Sequence, residues 1–95
     1  MTDGDTVGWA DEKRRVLARL RRAEGQVRGV AAMVEREADC EQVAQQLAAV
    51  RKALDRAFYD VMACATRRAL AEAGVSTPAA SRELAHLTEL LARYG

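Results

Sequence analysis

Apolar residues recur at alternating steps of four and three along two long stretches of the chain. In the first stretch the series is Val16, Leu20, Ala23, Val27, Val30 and Val34. In the second it is Cys40, Val43, Leu47, Val50, Leu54, Ala57, Val61 and Cys64. Such steps form a heptad seam, which is typical of long α-helices that pack side by side. The pattern predicts two long helices, each with one apolar seam.

Local signals set the ends of these helices. We predict helix 1 over residues 11–38 and helix 2 over residues 40–73. Asp39 precedes helix 2 as a predicted N-cap, with Gln42 at the third helical position. Gly74 is the predicted stop, because glycine readily takes the left-handed conformation that ends a helix.

A short third helix is predicted over residues 78–93. Thr77 followed by Pro78 is a typical N-cap and first helical residue. One face of this helix carries Leu84, Leu87, Leu91 and Tyr94.

These elements predict an all-α protein with a three-helix protomer, in which two long antiparallel helices are followed by a short C-terminal helix. Helix 2 would be about 50 Å long at 1.5 Å per residue, so helix 1 covers only part of it. A second copy would bury the remainder as a four-helix-bundle dimer, and we expect a dimer of dimers. The 95 residues suit one domain, residues 1–95, with residues 1–10 as a flexible N-terminal segment.

The distribution of charge along the chain is more informative about binding partners than the net charge of +1. Residues 13–28 contain one acid, Glu24, and a cluster of bases: Lys13, Arg14, Arg15, Arg19, Arg21, Arg22 and Arg28. One strongly basic helix face on a nearly neutral molecule is typical of a protein that binds polyanions. The chain has no apolar run long enough to span a membrane and no apolar signal core, so we expect a cytoplasmic protein with no membrane partner.

The two cysteines lie on the same predicted helix, 24 residues apart. That separation is about 36 Å, so they cannot meet within one chain. If two copies of helix 2 pack antiparallel about a two-fold axis near Lys52, Cys40 of one copy lies level with Cys64 of the other. The sequence therefore permits two equivalent thiol sites between subunits.

Each cysteine also has a purely structural interpretation. Cys40 begins its helix, where free backbone N–H groups and the helix dipole favour a thiolate, although Asp39 and Glu41 oppose it. Cys64 lies among Met62, Ala63 and Ala65, so core packing and sensing both stay open for it.

Other chemistry has little support in the sequence. A closed soft-metal site needs three or four cysteine or histidine ligands, and the single histidine, His86, lies on the third helix. No nucleophile–base pair, paired-carboxylate site, phosphate loop or dinucleotide fingerprint occurs, so we expect no enzyme.

Residues 13–70 resemble the CsoR/RcnR family of bacterial repressors, through RLRRAEGQVRGV followed by a cysteine and QQLAAVRKAL. This family includes sensors of copper, nickel or cobalt, formaldehyde and sulfane sulfur. The resemblance implies an all-α fold, dimers that assemble into tetramers, and binding of operator double-stranded DNA without a helix-turn-helix. It also implies that an inducer releases the DNA.

The resemblance carries roles onto particular residues. Cys40 matches the family's sensing cysteine, and Arg19 and Arg56 match positions that family members use for DNA. Arg15 and Arg22 lie one turn from Arg19, so we add them as predicted phosphate contacts.

The departures from the family's pattern concern the inducer. Metal sensors keep a histidine and then a cysteine or histidine where this chain has Ala65 and Ala69, and sulfane-sulfur sensors keep a cysteine at the second of these positions. Formaldehyde sensors have a proline where this chain has Thr2. What the chain has instead is Cys64, one residue before the usual histidine.

We therefore predict a DNA-binding repressor without a cofactor, in which Cys40 and Cys64 of the neighbouring subunit sense persulfide, sulfane sulfur or another thiol-reactive signal. The alternative is a repressor that responds to Cu(I) or another transition metal, of the copper or the nickel/cobalt type. Cys40 and Cys64 would be its metal ligands, with a third from His86, Glu35 or the N-terminal segment. A helical interaction module with no DNA role is a third hypothesis.

Overall fold

The computed structural model describes the backbone of residues 3–95 and the side chains from residue 10 onward. Its described part is all-helical, with α1 (Asp3–Glu35), α2 (Cys40–Glu72) and α3 (Pro78–Tyr94). The predicted fold class is confirmed for the protomer, and the dimer and tetramer stay predictions. Thr2 lies outside the described residues.

Helix α1 begins at Asp3, eight residues before the predicted start near Asp11. Once a helix has formed, each further residue adds a hydrogen bond at little cost, and residues 3–10 contain no proline to stop it. The flexibility predicted for residues 1–10 stays a prediction.

Helix α1 ends at Glu35, three residues before the predicted end near Ala38. Glu37 takes a left-handed conformation, with φ of 59°. The amide of Ala38 donates to the carbonyl of Met33 at 2.9 Å, and that of Glu37 to Val34 at 3.0 Å. These bonds form a Schellman turn, which normally has glycine at the left-handed residue.

The predicted signals around α2 and α3 are confirmed. The Asp39 carboxylate caps α2, Gly74 has φ of 76° after α2, and the Thr77 hydroxyl accepts from the amide of Ala80 at 3.0 Å. The amide of Val75 donates to Leu70 at 2.9 Å, which completes a second Schellman turn.

Helices α1 and α2 form an antiparallel hairpin, since Glu12 contacts Arg67 while Arg19 contacts Asp60. Helix α3 folds back on α2, where Arg56 contacts Glu89. The protomer measures 54 × 24 × 15 Å, so it is thin enough that each helix keeps a face toward solvent.

Each predicted seam divides into two rows with a seven-residue spacing. On α1, Val16, Ala23 and Val30 are buried, while Leu20, Val27 and Val34 are exposed. On α2, the inward row contains half-buried Val43, buried Val50 and buried Ala57, and the outward row consists of Cys40, Leu47, Leu54 and Val61, all exposed. One hairpin therefore buries only one row of each heptad pair, and the outward rows form an apolar face without a partner in the described chain.

Candidate functional site

Three of the predicted DNA-binding arginines lie together on one side of the hairpin. Arg15, Arg19 and Arg22 line a cavity of about 270 Å³ with two alanines, Ala18 of α1 and Ala53 of α2. Spacings of three and four residues put these arginines on one face of α1. The small alanines leave the guanidinium groups accessible.

Arg56 lines a neighbouring cavity, also about 270 Å³, which Arg15 and Arg19 share. All four predicted arginines thus belong to one continuous surface. We call the charged residues of this second cavity the arginine–carboxylate cluster: Glu12, Arg15, Arg19, Arg56, Asp60, Arg67 and Glu89.

Asp60 is the buried centre of this cluster, with 4% of its surface exposed. Its Oδ2 lies 2.9 Å from Nε of Arg19, and its Oδ1 accepts a hydrogen bond from Nε of Arg56 at 3.3 Å. The Arg19 contact is close but poorly aligned, because neither of its two atoms has a hydrogen-bond partner. Asp60 therefore holds two predicted DNA-binding arginines by charge, and only one of them by a directed hydrogen bond.

Glu12 is a second buried carboxylate, 6% exposed. Its Oε1 accepts from Nη2 of Arg15 at 2.8 Å and lies 3.2 Å from Nη2 of Arg67. The hydrogen bond and the charge of Glu12 raise the pKa of Arg15 above its ordinary value. A buried carboxylate needs such partners, because an unpaired one would cost several kcal/mol or would become protonated.

Glu89 connects α3 to the cluster. Its Oε2 accepts a hydrogen bond from Nη2 of Arg56 at 2.7 Å. Burial lowers the pKa of Arg56, but the hydrogen bond to Glu89 and the charge of Asp60 outweigh it and raise the pKa overall. Arg56 is thus fully charged and paired with carboxylates from two helices.

Sequence reasoning missed the carboxylates and Arg67. Two of the contacts had a visible signal, since Arg15 follows Glu12 by three residues and Asp60 follows Arg56 by four. The contacts of Arg19 with Asp60, of Arg67 with Glu12 and of Arg56 with Glu89 depend on the pairing of whole helices, which no local spacing reveals.

Cys40 lies at the closed end of the hairpin. It is exposed and lines an apolar groove of about 480 Å³ with Val34, Val43 and Leu47. The sequence predicted that free backbone amides would favour the Cys40 thiolate. The two amides that follow Cys40 are not free, because those of Glu41 and Gln42 donate to Asp39 Oδ2 at 3.1 and 3.3 Å. A carboxylate already neutralises this end of the helix dipole.

Cys64 is half-buried and continues the spacing of the inward row. It nevertheless lines an apolar groove of about 310 Å³ with Val61 of the outward row. Ala65 and Ala69, which the resemblance matches to ligand positions of metal sensors, line the same groove as Cys64.

Within the described part of one protomer, no three histidine, cysteine or acidic side chains come together as a metal site. Cys40 and Cys64 are not brought together within a protomer, as their spacing along α2 predicts. His86 and Glu35, the proposed third ligands, are both exposed.

Comparison with known proteins identifies the protein family. A family model described as "Metal-sensitive transcriptional repressor" matches residues 12–93. The chain belongs to this family. The CsoR/RcnR resemblance is thereby confirmed, and membership of a repressor family implies action on DNA and oligomerisation.

Two relatives are similar to the chain over most of their length. The chain is 38% identical over 91 residues to the copper-sensing transcriptional repressor RicR of Mycobacterium tuberculosis (strain ATCC 25618 / H37Rv), covering 90% of this chain and 91% of the relative. It is 30% identical over 83 residues to an uncharacterized protein in the bioA 5' region of Serratia marcescens, covering 87% of this chain and 91% of that protein. No solved structure matches the chain.

None of the described helices is both long and apolar enough to cross a bilayer.

Proposed function

We propose that this repressor binds DNA phosphates through Arg15, Arg19, Arg22 and Arg56, and releases the DNA when a thiol-reactive inducer joins Cys40 of one protomer to Cys64 of the partner subunit. Persulfide or another carrier of sulfane sulfur is the inducer that this pair suits best. One observation carries the proposal: each cysteine lines an apolar groove beside the outward row of α2, next to Leu47 for Cys40 and to Val61 for Cys64.

The outward row supplies the reason for a partner subunit. Its side chains are 41–51% exposed at Leu47, Leu54 and Val61, and exposed apolar stripes of this length favour association. An antiparallel second copy of α2 would bury the row against itself. With the two-fold axis near Lys52, both ends of the interface then contain one cysteine from each subunit, in line with the dimer of dimers expected for the family.

The proposed chemistry uses the two thiols in turn. The Cys40 thiolate attacks the sulfane sulfur of a persulfide, RS–SH, forming a Cys40 persulfide while RS⁻ leaves. The Cys64 thiolate of the partner subunit then attacks the inner sulfur of that persulfide, and hydrosulfide leaves. The two thiols lose two electrons, the sulfane sulfur gains them, and a disulfide remains.

This disulfide would pull the two copies of α2 together at both ends. A disulfide fixes both the separation of its Cα atoms, at about 4.4–6.8 Å, and its own dihedral angle, so a pair of thiols outside this geometry moves α2 when the bond forms. Arg56 lies on α2 between the two cysteines, and Arg19 contacts α2 through Asp60. A shift of α2 would therefore move the arginines relative to the DNA phosphates.

A metal inducer is the second candidate, because the family is described as metal-sensitive and RicR as copper-sensing. Cys40 and the partner subunit's Cys64 would supply soft thiolate ligands for Cu(I) in an apolar setting. A third ligand would come from His86, Glu35 or the N-terminal segment.

Mass spectrometry of the intact protein separates the two candidates. After treatment of reduced protein with a low-molecular-weight persulfide, we expect a covalent dimer that a thiol reductant reverses, and none in Cys40→Ala or Cys64→Ala. Persulfidation of Cys40 with no covalent dimer would contradict the paired-thiol mechanism. Tight, stoichiometric Cu(I) binding that Cys64→Ala loses would favour the metal alternative instead.

A further inference from the structure

Arg56 is held by two carboxylates that differ in their surroundings. Asp60, one turn further along α2, has a side chain that is 6% exposed, whereas the side chain of Glu89 on α3 is 59% exposed. A buried carboxylate is a permanent structural partner, but an exposed one gains little from its ion pair because water competes for both charges.

The two carboxylates occupy particular nitrogens of Arg56. Asp60 accepts from Nε at 3.3 Å and Glu89 accepts from Nη2 at 2.7 Å. A guanidinium binds a phosphate bidentately through the edge formed by Nε and Nη2 or through the edge formed by Nη1 and Nη2. Nη2 belongs to both edges, so Glu89 lies where a phosphate oxygen would bind.

Arg19 offers a contrast within the same cluster. Its recorded ion pair is the Nε contact with Asp60, and its side chain is 35% exposed against 26% for Arg56. Among the described residues, no carboxylate other than that of Asp60 forms an ion pair with Arg19. Asp60 thus positions both arginines, and α3 obstructs only Arg56.

We propose that Glu89 competes with DNA phosphate for Arg56, so that α3 sets the DNA affinity of the repressor. This inference rests on the proposed DNA contacts of Arg56. When DNA binds, a phosphate oxygen replaces the Glu89 carboxylate at Nη2 while Asp60 keeps Nε. Glu89 is a positioning residue that acts through Arg56, and a movement of α3 that separates Glu89 from Arg56 strengthens the binding of phosphate.

The test compares Glu89→Gln with Glu83→Gln, which removes the same charge from an exposed residue of α3 that forms no ion pair with another described residue. Fluorescence anisotropy would measure binding to a mixed-sequence DNA duplex and to the DNA upstream of the chain's own gene, over a range of salt concentrations. For Glu89→Gln we expect about threefold to tenfold tighter binding, because Arg56 no longer has to leave a carboxylate to bind the phosphate. The log–log salt slope should become steeper by about one for each protomer that contacts the DNA, because no freed carboxylate then takes up a cation. Glu83→Gln changes the affinity less and leaves the slope unchanged.

A double variant makes the inference specific to Arg56. In an Arg56→Gln background, Glu89→Gln should bring no gain, because the two residues act as one unit. Equal effects of Glu89→Gln and Glu83→Gln, or a gain that persists without Arg56, would overturn the inference while leaving the repressor function intact. Wild-type protein that binds neither DNA would overturn the proposed function, and this inference with it.

Discussion

The arginine–carboxylate cluster and the outward apolar face differ in how far one protomer completes them. In the cluster, the buried carboxylates Glu12 and Asp60 each meet two arginines of their own chain. On the outward face, Leu47 and Leu54 remain about half exposed, and each cysteine lines a groove that no described residue fills. Folding of one chain is enough to pair the charges of the cluster, whereas the apolar face with its cysteines is buried only by a second subunit.

This difference suggests how a signal could pass between the two regions. A cluster that is complete in one chain holds a fixed geometry, because its buried charges are costly to separate. A face that depends on a partner can take more than one arrangement at modest cost. Helix α2 carries both, with Asp60 buried one residue before exposed Val61. A change in the subunit interface would therefore act on the arginines through one rigid helix.

The largest effect is expected from Leu54→Glu, which puts a charge in the middle of the outward row and should weaken the dimer. We expect the dimer dissociation constant to rise about a hundredfold to a thousandfold, because the new carboxylate would be buried without a partner. Sedimentation velocity would measure the assembly state.

The matched control is Gln45→Glu, which adds the same charge nine residues earlier, on the opposite side of α2. It should leave the assembly unchanged. Identical sedimentation of the two variants would mean that the outward row is not the subunit interface.

Asp60→Ala tests the other region. Removing a buried carboxylate leaves Arg19 and Arg56 without their shared partner, and we expect the free energy of unfolding to fall by about 3 kcal/mol. Chemical denaturation monitored by circular dichroism would measure it. Asp55→Ala, at an exposed position of the same helix, should change stability by less than about 0.5 kcal/mol. A similar loss in both variants would show that the cluster is not a stabilising centre.

A smaller effect is expected from Glu37→Gly, at the turn between α1 and α2 and on the rim of the Cys40 groove. The left-handed φ of 59° costs a residue with a side chain about 1 kcal/mol, so glycine should stabilise the protein by about that amount. Thermal unfolding would measure the gain. Arg36→Gly, at the preceding residue, should destabilise instead, and stabilisation by both glycines would contradict the assigned turn.

Much of the fold could be predicted from the sequence because its signals are local. The caps at Asp39 and Thr77 and the stop at Gly74 depend on neighbouring residues alone. The early turn at Glu37 was missed because glutamate gives no sign of a left-handed conformation. The continuation of α1 back to Asp3 was missed because the extent of a helix depends on propagation as well as on its caps.

The heptad pattern alone does not predict that each seam divides into a buried row and an exposed row. A seam with steps of four and three shows which residues are apolar, but Val50 and Leu54 look equivalent in it. Only the packing of α1 against α2 shows that Val50 is buried in the protomer while Leu54 remains exposed. The same limit applies to the cysteines, because Cys40 follows the outward spacing and Cys64 the inward spacing.

The candidate site was predictable where residue types carry the signal. The stripe of Arg15, Arg19 and Arg22 follows from helical spacing, and these residues do share one cavity. The carboxylates that hold the arginines come from distant parts of the chain, such as Glu89 on α3. Because their contacts require the tertiary fold, the restraint on Arg56 could not be read from the sequence.

The most direct test of the account is to add a low-molecular-weight persulfide to reduced protein bound to fluorescent DNA and to follow the anisotropy. The DNA upstream of the chain's own gene is the first duplex to use. We predict that wild-type protein releases the DNA as a covalent dimer forms, and that Cys40→Ala and Cys64→Ala keep it bound. Release by Cys64→Ala to the wild-type extent, or wild-type protein that ignores persulfide and releases DNA with Cu(I), would contradict the proposed pairing of Cys40 with Cys64.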